Sequence, residues 1–239
     1  MSQPIDRLLS VSLLLGLAMV PGTAIAQQPG FFPPFAIDES CSNDDRYALL
    51  EVHLNVDRTM NDAIIAIETE RGSKEYTTSF GAYDKTRHSL VRKRMNLIRE
   101  GTYKAQIQVR CETPGETPTC NADPNLSGLA WATKQRGENA GKFIVNLCPV
   151  FFNATEEKIR QVSAWDSLST VQGDVFLHEL THFGWSNSNI SVKGAADEEY
   201  DMEGVEYLAA EDPDLAVANA DSYRIFMMKL AVRNRTIYR

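Results

Sequence analysis

Histidine is scarce in this chain, at 4 of 239 residues. Basic residues are also in deficit, 24 against 32 acidic ones, which leaves a formal net charge of −8. That balance argues against a nucleic-acid partner, whose binder carries a basic footprint. After residue 26 no apolar run is long enough to span a bilayer, so no membrane role is expected once an export signal is removed. None of the 4 cysteines sits in a C-x-x-C spacing, which argues against a cysteine zinc site. There is no internal repeat and no linker after residue 41, so residues 41–239 read as a single domain.

What is present is ordinary for a globular protein, with 43% hydrophobic and 23% charged residues. The N-terminus carries Arg7, an apolar stretch over 8–20, a break at Pro21-Gly22 and the small-x-small pattern Ala24-Ile25-Ala26. Residues 1–26 therefore read as a signal peptide, and the mature protein is expected to be secreted or periplasmic. An even cysteine count in an exported chain suggests two disulfides. Cys111–Cys120 is the favoured pair, because these residues flank a turn-rich segment, and Cys41–Cys148 then follows. Residues 27–40, rich in Pro, Gly and Phe, read as an extended arm.

Helical spacing dominates the remainder. Leu49, Val52, Val56, Met60, Ala63, Ile64 and Ile67 recur on one face behind an N-cap cluster at Ser42 to Asp45. His53 lies beside that stripe and reads as a core histidine. Residues 76–83 read as a loop or short extended piece. Asp84 then caps a helix with Val91, Met95 and Ile98 inward and Gly101 at its end, and Arg92, Lys93 and Arg94 form its solvated basic face. Tyr103, Ala105, Ile107 and Val109 alternate with polar residues, as in a half-buried strand. Short strands are also expected at 129–133 and 142–147, giving a small antiparallel sheet. A helical turn or two is expected at 156–165, an irregular loop at 185–194 and helices at 202–210 and from Asp212-Pro213 onward. The fold class is α+β and helix-rich.

The chemistry is concentrated in Val175-Phe176-Leu177-His178-Glu179-Leu180-Thr181-His182. Histidines four apart stack on one helical face, where two imidazoles can grip one zinc ion. Glu179 lies beside them, within reach of a water on that metal, as in the H-E-x-x-H hydrolases. Such a site needs a third protein ligand. On spacing alone Asp197, Glu198, Glu199, Asp201, Glu203 and Glu206 all qualify, and a glutamate ligand on the following helix would be Glu203 or Glu206.

Two further segments carry a resemblance. Gly194-Ala195-Ala196-Asp197-Glu198-Glu199-Tyr200 is similar to the G-T-x-D-x-x-Y element of the deuterolysin family, the aspzincin metallopeptidases. Asn219-Ala220-Asp221-Ser222-Tyr223-Arg224-Ile225-Phe226 resembles that family's N-A-D-x-x-E-x-F helix. The segments around Phe80-Gly81 and Ile144 to Phe152 also resemble it. The resemblance implies a zincin-like endopeptidase domain with one catalytic Zn2+ held by His178, His182 and Asp197. It implies Glu179 as general base on the zinc-bound water, Tyr200 as oxyanion partner, and protein or peptide substrates. A monomer is expected. Lysine-specific relatives use the aspartate and glutamate of the last element as an acidic substrate pocket, which here maps onto Asp221 and Arg224. Arg224 stands one helical turn from Asp221 and is expected to cancel its charge. Ala195 and Asp201 also depart from the family pattern, at a threonine and a glycine. These departures motivate the alternative of a weak or inactive aspzincin-fold binding or host-interaction protein.

Overall fold

The structure is a computed structural model that describes residues 35–103, 107–113, 120, 130–134, 143–153, 168–186 and 191–237. The expected export signal, the helical turn expected at 156–165 and most of the segment between Cys111 and Cys120 lie outside these residues.

Helix α1 (Asn43–Thr69) starts at a capping box. The Ser42 hydroxyl accepts the Asp45 N–H at 3.2 Å, and the Asp45 carboxylate accepts the Ser42 N–H at 2.9 Å. The apolar stripe expected on this helix is buried along its whole length. Helix α2 (Lys74–Phe80) stands where a loop or extended piece was expected. Ser73 caps it by accepting the Tyr76 N–H, and two turns are too few to imprint a helical period on the sequence. Helix α3 (Lys85–Tyr103) runs two residues past Gly101. Its basic triplet divides, because Arg92 and Lys93 are exposed while Arg94 is 3% exposed, which corrects the reading of a wholly solvated face.

Strands β1 (Ala36–Ile37), β2 (Ile107–Cys111), β3 (Ala130–Lys134) and β4 (Phe143–Leu147) form a sheet of order β1-β2-β4-β3. The β1–β2 and β2–β4 pairings are parallel and only β3–β4 is antiparallel. The expected antiparallel sheet is thus corrected to a mixed one. Alternation along a strand reports which face is buried and says nothing of a neighbour's direction. The helices α1 to α3 lie between β1 and β2 in sequence and provide a crossover long enough for parallel pairing. The end of the N-terminal arm belongs to this core. Phe35 is 4% exposed, and its ring packs 5.3 Å from that of Phe176.

The same strand order corrects the disulfides. They are Cys41–Cys111 and Cys120–Cys148. The parallel β1–β2 register brings the chain after Ile37 alongside the end of β2, where the Cys111 N–H donates to the Ser40 hydroxyl at 3.1 Å. Neighbourhood in the sheet overrides neighbourhood in sequence. Non-reducing peptide mapping is expected to recover these two links, and a Cys111–Cys120 peptide would contradict them. Alanine at both Cys41 and Cys111, which are 70 residues apart, should lower unfolding stability by about 2–4 kcal/mol.

The second half comprises α4 (Pro149–Asn153), α5 (Leu168–Thr181), the antiparallel pair β5 (Trp185–Ser186) and β6 (Ser191–Val192), α6 (Asp201–Glu211), α7 (Pro213–Ala218) and α8 (Ala220–Ile237). The expected irregular loop at 185–194 thus contains two short antiparallel strands. The final helix is interrupted at Asn219, whose extended backbone pairs with Ala196. Helices α1, α5 and α8 pack on one another around Val52, Val56, Phe176, Leu180, Phe226 and Leu230. The apolar side of α5 is thereby committed to the core.

Candidate metal centre and active site

With Phe176, Leu177 and Leu180 turned into the core, the other face of α5 presents Asp174 and His178, and His182 follows just past its last turn. The His182 N–H closes the helix on the Glu179 carbonyl at 3.2 Å. His178 Nε2 and His182 Nε2 stand 3.0 Å apart. Asp197 Oδ1 lies 3.2 Å from the first and 3.3 Å from the second. Three donors around a tetrahedral zinc at about 2.0–2.1 Å would stand roughly 3.3–3.4 Å apart, so this triangle fits the ion in size and in donor chemistry. Among the described residues it is the one cluster of His, Cys, Asp or Glu able to hold a metal. Glu203 is exposed and Glu206 pairs with Lys229 at 2.7 Å, and neither joins it.

Backbone bonds bring Asp197 to the histidines. The Ala195 N–H donates to Thr181 O, the Ala196 N–H to Ala218 O and the Ala220 N–H to Ala196 O, each at 2.8 Å. Gly194 passes so close to the end of α5 that a Cβ there would overlap the His182 carbonyl oxygen and come within 2.8 Å of its carbon. His182 Nδ1 meets Ala195 O at 3.1 Å, which fixes the ring and leaves Nε2 for the cluster. Buried Asn219 holds the next residues. Its Oδ1 accepts the N–H groups of Glu198 (3.0 Å) and Glu199 (3.3 Å), and its amide donates to Glu199 O at 3.0 Å. Arg94 clamps the other end of the segment, donating to Lys193 O at 2.7 Å and to Val217 O at 2.6 Å.

Glu179 is 6% exposed and follows His178 directly. Burial raises its pKa to about 7, with the neighbouring Asp197 charge in support and His178 and the Ala132 N–H opposing. Tyr200 is 59% exposed, with its ring 6.4 Å from that of His178. Desolvation and its hydrogen bond with Asp197 push the phenol up to about 12, so near neutral pH it is a proton-bearing donor. Without a metal, burial lowers the His178 pKa, but bonds to Asp197 and Asp221 outweigh it and raise the pKa to about 9.

Asp221, expected to line a substrate pocket, is held by neighbouring side chains. Its side chain is 3% exposed and its oxygens are engaged inside the protein. Oδ1 faces His178 Nδ1 at 2.6 Å and accepts Arg224 Nε at 2.8 Å. Oδ2 accepts Arg224 Nη2 at 2.6 Å and the Asp201 N–H at 3.1 Å. The expected Asp221–Arg224 pair is present, and Arg224 reaches on to Asp174 at 2.8 Å. His178 and Arg224 hold the Asp221 carboxyl well below the usual carboxylate range despite its burial. Asp201, at the position of the family's glycine, has φ 58°, a left-handed conformation that aspartate tolerates better than most residues.

Sequence reasoning missed Asp174, Asn219 and Arg94 as supports of this site. The four-residue spacing of Asp174 and His178 on α5 was a visible signal for the first. Arg94 carried none, since its partners, the carbonyls of Lys193 and Val217 and the Tyr223 hydroxyl, all lie far away in sequence.

An aspzincin family profile, described as lysine-specific metallo-endopeptidase, matches residues 66–228. Among solved structures the chain is similar to a zinc peptidase from Grifola frondosa, with 25% identity and a TM-score of 0.57. That likeness covers 79% of this chain and 97% of the other. No curated protein matches it in sequence.

Proposed function

The chain belongs to the aspzincin family of zinc metallopeptidases, and from that premise we propose that it is an exported endopeptidase whose zinc is held by His178, His182 and Asp197. The observation that carries this reading is the triangle of two imidazole nitrogens and one carboxylate oxygen with buried Glu179 beside it. When bound, zinc supplies Lewis acidity, polarising a peptide carbonyl and acidifying a water toward pKa about 7. Glu179 takes a proton from the attacking water and delivers it to the leaving amine. Tyr200 donates its hydroxyl to the carbonyl oxygen as negative charge develops there. Strand β3, at the edge of the sheet, places the Ala132 N–H beside Glu179 and offers an extended peptide a strand to pair with. Residues 1–26 direct export, and the enzyme acts as a monomer on protein or peptide substrates. Because His178 and Arg224 occupy Asp221, cleavage shows no preference for lysine after the scissile bond.

Zinc content and chelator-sensitive casein cleavage test this reading. Wild type and Glu203→Ala are expected to bind one zinc per chain, and Asp197→Ala to lose it. Zinc lost from Glu203→Ala but kept by Asp197→Ala would overturn the ligand assignment. A wild type that binds zinc yet cleaves nothing would indicate a binding protein on this fold. Sequencing the released peptides should show no enrichment of lysine after the cut, and such enrichment would return Asp221 to a substrate pocket.

A further inference from the structure

We propose that Arg224, gripped by Asp174, is a positioning residue for His178, acting on the metal centre through Asp221. The proposal rests on the zinc reading above and concerns the side of His178 that faces away from the cluster.

Four side chains form one chain of contacts between α5 and α8. Asp174 Oδ2 accepts Arg224 Nη1 at 2.8 Å. The Arg224 fork grips both Asp221 oxygens, Nε to Oδ1 at 2.8 Å and Nη2 to Oδ2 at 2.6 Å. Asp221 Oδ1 then meets His178 Nδ1 at 2.6 Å. Their side-chain exposures are 5%, 14%, 3% and 13%, so solvent screens little of this charge. An anionic oxygen at that distance keeps the proton on Nδ1 and leaves Nε2 as the free lone pair, aimed toward His182 and Asp197. The orientation of the imidazole therefore depends on the orientation of the Asp221 carboxylate.

Arg224 sets that orientation in two ways. A bidentate fork fixes the plane of a carboxylate, which the point charge of a lysine cannot do. Its positive charge also separates Asp174 from Asp221, two buried carboxylates that would otherwise repel across the α5–α8 contact. Asp174 holds the far end of the guanidinium and so keeps the fork in register. A purely structural role would make these residues a clamp between helices with no effect on metal affinity.

The test separates the two. Asp174→Asn/Arg224→Gln removes one charge of each sign and retains polar side chains, the glutamine being shorter than the arginine it replaces. Arg224→Lys keeps the charge and loses the fork. Zinc affinity of the metal-free proteins is measured by competition with a chromophoric chelator, alongside their thermal unfolding without metal. The folded double variant is expected to bind zinc about 10–100-fold more weakly than wild type, and Arg224→Lys to fall between the two. Zinc affinity within twofold of wild type in both folded variants overturns the proposal, whatever the change in melting temperature. If the double variant does not fold, Arg224→Lys decides alone, with wild-type affinity overturning the proposal. Failure of the wild type to bind zinc would sink the zinc reading itself and this inference with it.

Discussion

Glu179→Gln is expected to keep its zinc and to lose peptide hydrolysis by a factor of about 10²–10⁴. Glutamine matches glutamate in size, so the packing of this 6% exposed side chain beside Ala132 and His178 should survive. An amide cannot accept a proton from water near neutral pH, nor deliver one to the leaving amine. None of the cluster atoms belongs to Glu179, so metal content should match wild type. The measurement is kcat on a quenched fluorescent peptide, with zinc per chain determined on the same preparation. Activity within threefold of wild type would show that another group takes the proton.

Gly194→Ala is expected to damage the metal centre without touching a ligand. The added methyl has no room, because it would overlap the carbonyl oxygen of His182. That carbonyl is backbone at the end of α5, so it cannot swing aside as a flexible side chain would. Either the end of α5 or the 193–197 segment must move. Movement stretches the Ala195 N–H to Thr181 O bond and the contact of His182 Nδ1 with Ala195 O, and these bonds set His182 and Asp197 in one frame. A stability loss of about 2–3 kcal/mol is expected, with zinc binding at least tenfold weaker. Chemical denaturation and chelator competition would measure the two effects. A Gly194→Ala protein with wild-type zinc affinity would show that the segment can shift without carrying Asp197 away.

The parts of the site legible in sequence are those bound by helical geometry. Residues four apart on a helix share a face, so the spacing of His178 and His182 pairs them by itself. The same rule related Asp221 to Arg224, three apart on α8, and their bidentate pair is present. Asp197 and Tyr200 were legible only through resemblance, because spacing left six carboxylates open. The buried stripe of α1 followed from its period. Helix α2 did not, because seven residues with adjacent threonines give neither the length nor the pattern that marks a helix.

What the chain determined by itself was local: the long amphipathic helices, the histidine-bearing face of α5 and the strand character of β2 and β4. Tertiary structure decided which distant groups became neighbours. The parallel pairing of β1 with β2 brought Cys41 to Cys111 in place of the nearer Cys120. The packing of α8 on α5 set Asp221 against His178 and brought Arg224 to Asp174. The break at Asn219 carried Ala196, and with it Asp197, to the histidines. Periodicity encodes which face of an element avoids water, whereas its neighbours are chosen by burial and hydrogen bonding summed over the whole core.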